Sequence, residues 1–350
     1  KDVLYVFFFL SALIVYLKYL EKQKMGLYVL MLVLFLLSVL SKAMAIVFPV
    51  MLFLVDYYKS RTFDKKSILE KLPLLAISLL FGLLAVNIQS HGAIAHFAVF
   101  TLWQRICFAS YGVIMYIYKL FLPLNLTCFY AYPTLENDHM PIIFHLAPFI
   151  VFAIIGGVVY SIHKNKALVF GFAFYLTALV MVLQFISVGK AIIAERYTYL
   201  SYIGLFFPLA MGYWWLQENK DDKFKIYKSL SSGVLIAFVL FFIYTTFKRI
   251  QIWEGSDKLW TDAITKNPNN ETAYTNRGSY LINKGAYDVD KKNPGELEYE
   301  RALKDFNISI AMNPTLPKVF TNRANIFGLK KQFDLSLQDY SRAIAIDSTD

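Results

Sequence analysis

From Leu72 to Ser161, ninety consecutive residues, only Arg105, Lys119, Glu136 and Asp138 carry a formal charge. A surface facing water cannot be built from such a stretch, whereas a bilayer core demands one. The whole chain is 57% hydrophobic and 17% charged, against about 25% charged in ordinary soluble domains. Apolar segments recur at roughly 3–20, 27–56, 72–90, 106–123, 143–161, 167–186, 199–216 and 229–247. From Asp257 to Asp350, by contrast, charges come every few residues. These patterns imply an all-α protein in two parts: a polytopic transmembrane bundle over 1–247 and a water-exposed part over 253–350, joined by a short link at Lys248–Ile252.

The net charge of +10 does not point to nucleic acid, because the cations cluster in short loops between apolar runs. That is the positive-inside pattern, which sets orientation. Lys18, Lys22 and Lys24 form one such loop; Lys59, Arg61, Lys65, Lys66 and Lys71 form another. His163, Lys164 and Lys166 form a third, and Lys220, Lys223, Lys225 and Lys228 a fourth. If all four face the cytoplasm, 27–56 must be a hairpin of two short helices broken near Ser41 and Lys42. Parity fails once, between the second and third loops, and the preferred resolution makes 106–123 an interfacial or re-entrant element. The expected product is a multi-pass protein of the cell inner (plasma) membrane, with its C-terminal part extracytoplasmic. No cleavable signal peptide is visible, and the chain opens at Lys1 and stops at Asp350 in the last turn of a repeat. Truncation at both ends is therefore expected.

The C-terminal part is internally repetitive. Asn267-Pro recurs as Asn313-Pro and as Asp347-Ser, with spacings of 46 and 34 residues. The second is the period of the tetratricopeptide repeat (TPR), an α-solenoid of helix pairs. Tyr274, Gly278, Ala302 and Phe306 in one unit, and Phe320, Ala324, Phe327, Tyr340 and Ala343 in the next, occupy the small and large positions where antiparallel helices interlock. The extra twelve residues are expected as an inserted loop near 288–299. A groove on such repeats usually takes a protein or peptide; a spacer or oligomerisation arm is the alternative.

No phosphate-binding Gly-rich loop, HExxH, GxSxG or Cys/His metal set is present, and His91 with His96 is too few ligands, so no metal or cofactor is assigned. What remains is charge bordering the apolar runs, which is costly and therefore a functional candidate by default. Lys42 either snorkels to the headgroups or meets a lipid phosphate. The segment Gly189–Leu200 holds Lys190, Glu195 and Arg196; arginine binds phosphate through a bidentate fork, and Glu195 orients it or acts on a hydroxyl. An interfacial Glu–Arg pair is the plainer reading. Arg105, with Lys119 and the loop Leu122–Pro133, is a rim element around a cavity or simple interfacial packing. Asp56 is read as a helix-end residue without a catalytic role.

The order Leu37-Ser-Val-Leu-Ser-Lys-Ala-Met-Ala45, Pro49, Asp56-Tyr-Tyr58, Tyr116, Lys119–Leu126, Tyr130-Ala-Tyr-Pro133 and Ala194-Glu-Arg-Tyr-Thr-Tyr-Leu200, followed by repeats, resembles the bacterial TPR-containing membrane glycosyltransferases. It is similar as well to the eukaryotic transmembrane-and-TPR protein O-mannosyltransferases. The resemblance implies a GT-C fold. It implies transfer of a sugar from a polyprenyl-phosphate carrier at the outer membrane face to a Ser or Thr hydroxyl or another envelope acceptor. Partners would be the lipid-linked sugar, membrane lipid and an acceptor held by the repeats. The acidic catalytic residue of that family lies in a loop after the first span, so its counterpart is expected upstream of Lys1. Asp2 is not a substitute for it. A non-catalytic, membrane-anchored scaffold for envelope proteins is the competing expectation.

Overall fold

The computed structural model describes residues 1–90, 100–133, 140–183, 191–287 and 295–347. These are almost entirely helical and divide into two compact units, 1–123 with 135–235, and 124–134 with 236–350. Lys190, Ser187, His91 and His96 lie outside the described residues.

In the first unit, α1 (Asp2–Lys22) turns through Gln23, in the left-handed region at φ 49°, into α2 (Met25–Ser41). The two pack along each other. The break expected near Ser41 and Lys42 is present. Lys42 is extended, a 3-10 turn follows at Ala43–Val47, and α3 (Phe48–Tyr58) runs back with Pro49 in its first turn. Two contacts fix the register. Ser38 Oγ donates to Tyr5 O at one end, and Tyr16 OH donates to Asp56 Oδ1 at the other, 2.6 Å away. Between them Phe48 meets Phe9 edge-on and stacks on Phe35. The unit therefore has a Lys42 end and an Asp56 end.

The remaining helices are placed by the same reference. A short α4 (Lys65–Leu69), capped by Asp64 onto Ser67 N, leads into α5 (Leu72–Ser90) from the Asp56 end. α7 (Ile142–Tyr160) finishes at that end, where Tyr57 OH donates to Ile162 O. α8 (Lys166–Leu179) starts there, with Lys166 Nζ on Ser60 Oγ. α9 (Thr198–Glu218) starts at the Lys42 end and runs against α8. α6 (Leu102–Phe121) behaves differently. Along its length it touches the start of α7 (Trp103 Nε1 to His145 Nδ1, 3.1 Å), then the end of α8 (Tyr175 OH to Val113 O, 2.7 Å), then the entry to α9 (Tyr202 OH to Tyr116 O, 2.8 Å). All three partners sit at the Lys42 end, so α6 lies across the bundle there rather than through it. Trp103, Gln104 and Arg105, expected as its flank, form its first turn. Thr101 and Gln104 close a capping box that starts the helix.

Among the described residues four helices are long and apolar enough to cross a membrane: α1, 65–88 (α4 and α5), α7, and the stretch 222–254 that contains α10 (Lys225–Ile250). α2, α3 and α8 are apolar but shorter than the roughly 20 residues a straight span needs. α9 is long enough, but its tyrosines, tryptophans and glycines leave it less apolar than those four.

α8 and α9 approach each other closely through two glycines. A Cβ on Gly171 would stand 2.4 Å from Gly204 O, and one on Gly204 would stand 2.5 Å from Gly171 O. Pro208, one turn beyond Gly204, has no N–H to offer that carbonyl. The freed oxygen turns toward Gly171, the kind of close backbone contact through which helices associate where lipid removes the hydrophobic drive.

α10 belongs to both units by sequence, its residues from Ile236 onward grouping with the second. It is helical through Ile250 and continues as a 3-10 turn at Gln251–Glu254, so the short link expected at Lys248–Ile252 is itself helical. Arg249, one of its residues, pairs with Asp262 at 2.7 Å. The second unit then runs α11 (Ser256–Lys266), α12 (Glu271–Tyr287), α13 (Glu296–Met312), α14 (Pro317–Leu329) and α15 (Phe333–Ile346). α12 packs on α13 and α14 on α15, as two successive helix pairs. Residues 124–133, expected as a rim around a membrane cavity, group here instead: Lys266 Nζ donates to Leu126 O.

The insertion is not the single loop expected at 288–299. Residues 288–294 lie outside the description, but Glu296 to Tyr299 form the first turn of α13, and Tyr299 is buried against Gly285. Compared with α14 and α15, seven of the twelve extra residues lengthen the two helices and five lengthen the connection. Gly295, at φ 74° and within 2.7 Å of Gly285 for any added Cβ, ends that connection where a side chain has neither the angle nor the room.

Candidate functional site

Lys42 ends α2 with an extended backbone that directs its ammonium across the Lys42 end of the first unit. There it forms an ion pair with Asp2, the first residue of α1, and stands 5.6 Å from the Tyr5 ring and 5.5 Å from the Tyr197 ring. The other face of the arrangement is the turn Glu195–Tyr197, which follows a short strand at Ala191–Ile193. Arg196 is exposed and its guanidinium carbon lies 5.1 Å from the same Tyr197 ring. Both cations thus hold one aromatic ring within cation–π distance.

Three bonds keep this turn in place. Ala194 N donates to Tyr116 OH at 2.9 Å, Tyr202 OH donates to Tyr116 O, and Thr198 Oγ1 donates to Glu195 O at 2.7 Å. Tyr116 is buried at 1% exposure, so the turn is anchored on α6 rather than free to swing. Chemically, the group is an anchored rim with one exposed guanidinium and one ammonium. The ammonium's carboxylate partner can be exchanged for an incoming anion, since both its side chain and that of Asp2 are about a quarter exposed. A phosphate in that place would meet a planar fork and a point charge.

Of the five residues proposed to bind phosphate, the structure brings Lys42, Glu195 and Arg196 together. Arg105 is not with them. It lies in the first turn of α6, eleven residues from Tyr116 and so about 16 Å along the axis. Lys190 lies outside the description. Asp2, Tyr5 and Tyr197 were missed as members of the group. Asp2 and Lys42 are forty residues apart, and no local pattern announces a pairing across a hairpin.

The opposite end holds a second cluster that sequence reasoning undervalued. Asp56 and Lys71 are both fully buried and pair at 2.5 Å. Tyr16 and Ser67 also donate to the Asp56 carboxylate. Arg61 donates to Tyr16 OH and to Glu70, which in turn accepts from Tyr19 OH through its side chain and from Tyr28 OH through its carbonyl. Lys71 is therefore not a solvated loop cation, and Arg61 is mostly covered as well, so neither counts toward the basic loop as expected. Two carboxylates and two cations balance in this cluster, and each carboxylate is hydrogen-bonded. It binds the segment 59–71 to α1, α2 and α3, and nothing in it faces a ligand.

In the second unit the expected interlocking positions hold with two exceptions. Tyr274, Ala302, Phe306, Phe320, Ala324 and Ala343 are buried, and a Cβ on Gly278 would come 2.7 Å from the Phe306 ring. Phe327 is only half-buried, and Tyr340 is exposed, with its hydroxyl on Asn325 Oδ1. Phe327 lines an open groove with Leu303, Lys304 and Asn307 of α13.

The bonds that recur from unit to unit were not anticipated. Arg277 makes a two-point contact with Asp305, at 2.8 and 2.7 Å, and Arg323 the same with Asp339, at 2.7 and 2.7 Å. Each arginine also donates through Nη1 to the preceding helix, Arg277 to Thr261 Oγ1 and Arg323 to Asn307 Oδ1. The bond to Asp305 raises Arg277 above its ordinary pKa, against the opposing effect of burial. The signal was in the sequence: Arg277 and Arg323 are 46 apart, and Asp305 and Asp339 are 34 apart, the two spacings of the Asn-Pro marks.

No family model, no curated protein and no solved structure matches this chain.

Proposed function

We propose that this chain belongs to a membrane glycosyltransferase. In this reading the Lys42 end receives the phosphate of a polyprenyl-phosphate sugar, and the helix pairs form a TPR array that presents a protein or envelope acceptor. The observation that carries the reading is the placement of Lys42 and Arg196 about the single ring of Tyr197, on a turn anchored to a helix that lies across the end of the bundle. When the glycosidic bond breaks, negative charge grows on the departing lipid phosphate. A guanidinium and an ammonium already in place stabilise that charge more in the transition state than in the ground state. Asp2 holds Lys42 until the phosphate displaces it. The acceptor hydroxyl needs a general base, and no residue named above is assigned that role. The TPR assignment is supported by the 34-residue offset and by the arginine clamp repeated in the same register. In this reading the repeats are extracytoplasmic, as the basic loops imply through the positive-inside pattern.

In the full-length protein, Arg196→Ala is expected to abolish sugar transfer from a polyprenyl-phosphate donor and to weaken binding of the sugar-free polyprenyl phosphate at least about tenfold, with unchanged membrane expression. Unchanged transfer would overturn the assignment. Orientation is read by labelling single cysteines from outside the cell. Asn269→Cys, exposed between α11 and α12, should react and Lys66→Cys should not.

A further inference from the structure

The end of α10 carries two adjacent cations with different fates. Arg249 is tied to Asp262 of α11 at 2.7 Å, and both side chains are largely covered. Lys248 makes no ion pair among the described residues, and its ammonium stands 5.7 Å from the ring of Tyr244, one turn earlier. Beside it the second unit has an open cleft of about 610 Å³. The cleft is lined by Lys248 and Gln251, by Asp257 and Lys258 of α11, and by Arg301 of α13. Three cations thus surround one carboxylate. Arg301 holds that carboxylate by two bonds, Nη2 to Oδ1 at 3.0 Å and Nη1 to Oδ2 at 3.2 Å, with both side chains partly open to solvent. Lys258 pairs with Glu254, but both are mostly exposed, so the pair holds its ammonium only weakly. Even with Glu254 counted, the three cations outnumber the two carboxylates.

The approach to the cleft is apolar. The stretch 222–254 is apolar enough to cross a membrane, and its unbroken apolar run ends at Lys248. Leu240, Tyr244, Lys248 and Gln251 follow one another at helical spacing and share one face of α10. Leu240 and Tyr244 are both exposed. With α10 in a bilayer, this face runs from the hydrocarbon to the headgroup level, where a lysine and a tyrosine at a span end meet lipid phosphate. A free phosphate would make no use of the apolar track. A zwitterionic lipid would bring a positive headgroup against a cleft that is already cationic.

We propose that this cleft binds the phosphate of an anionic phospholipid whose acyl chain lies along Tyr244 and Leu240. Lys248 is its main contact, and Arg301 and Lys258 supply the remaining positive charge. The inference requires α10 to cross the membrane, but it does not depend on the transferase reading or on which side the second unit faces.

The test uses the full chain in detergent, with bound lipid counted by native mass spectrometry during titration with dioleoyl phosphatidylglycerol. One tightly held lipid is expected. Lys248→Gln should weaken it about fivefold, the share of one cation near a membrane surface. The melting midpoint should stay unchanged, because Lys248 makes no ion pair. Lys225→Gln, at an exposed cation in the first turn of α10, should leave binding unchanged. Asp257→Asn removes the lining carboxylate and releases Arg301, so it should tighten binding, a gain that misfolding cannot produce. Dioleoyl phosphatidylcholine should bind about tenfold more weakly, and soluble glycerol phosphate should not displace the lipid. The proposal is overturned if Lys248→Gln binds as the parent does, if Lys225→Gln loses as much, or if Asp257→Asn gains nothing. Equal binding of phosphatidylcholine would overturn it as well, and displacement by glycerol phosphate would assign the cleft to a free phosphate instead.

Discussion

The two units bring helices together through glycine in opposite ways. In the first, more apolar unit Gly171 and Gly204 let one backbone touch another, and the nearest foreign atoms are a carbonyl oxygen and a proline ring. In the C-terminal unit Gly278 and Gly285 are notches that receive the rings of Phe306 and Tyr299. The contrast is the one that two solvents produce. In water, a ring driven into a notch removes apolar area from solvent, a gain of roughly 25 cal/mol per Å². In lipid that gain vanishes, and close packing with satisfied polar groups must hold helices together. Charge follows the same division. Asp56 and Lys71 are wholly desolvated and tied into a network of hydroxyls, whereas the Arg277 and Arg323 clamps are partly open to water.

The contrast can be broken most severely at Lys71. Lys71→Met leaves the Asp56 carboxylate buried beside Tyr16 and Ser67 without its ammonium, a loss of about 3–5 kcal/mol. The expected result is a collapse in the yield of monodisperse protein extracted in detergent. Adding Asp56→Asn should restore most of it, because the pair is then removed rather than halved. If the double variant is as poor as the single one, the network contributes more than charge balance.

Next in size is the glycine comparison itself. Gly204→Ala and Gly278→Ala both overpack, at about 1–3 kcal/mol each, and Gly204→Ala should be the worse because its obstacle is backbone. Trimming Phe306 to leucine should relieve Gly278→Ala in thermal melts. No single side-chain change should relieve Gly204→Ala, and one that did would show the α8–α9 contact to be ordinary side-chain packing.

A smaller effect is expected at the clamps. Arg277→Ala or Arg323→Ala removes a charged two-point hydrogen bond, worth about 1.5–3 kcal/mol. The melting midpoint of the C-terminal unit should fall while detergent stability of the membrane unit stays constant. Lysine should restore little, since an ammonium cannot reproduce the fork. The smallest effect should come from Tyr340→Ala, because that ring is exposed, and a large loss there would mean that α15 is already covered.

Much of this was legible in one dimension. The apolar runs, the break at Ser41 and Lys42 and the close-packed positions Gly278, Phe306 and Ala324 are local patterns, set by composition and helical period. The capping box at Thr101 was equally local and would have placed the start of α6. Contacts between distant residues were not legible. The Lys42–Asp2 pair, the Asp56–Lys71 pair and the anchoring of Ala194 on Tyr116 join residues 40, 15 and 78 apart. Their partners were chosen by how the helices cross. The lengthened helices around the insertion were hidden for a related reason: polar residues with Asn-Pro-Gly read as a loop until a buried Tyr299 shows that a helix already has a core to face. Sequence alone thus determined which segments are apolar, which repeat and where the hairpin breaks after Ser41, because those follow from local hydropathy and backbone preference. Only the tertiary structure decided which charges are neutralised in the interior and which remain at the rim, because pairing depends on distances that no local pattern encodes.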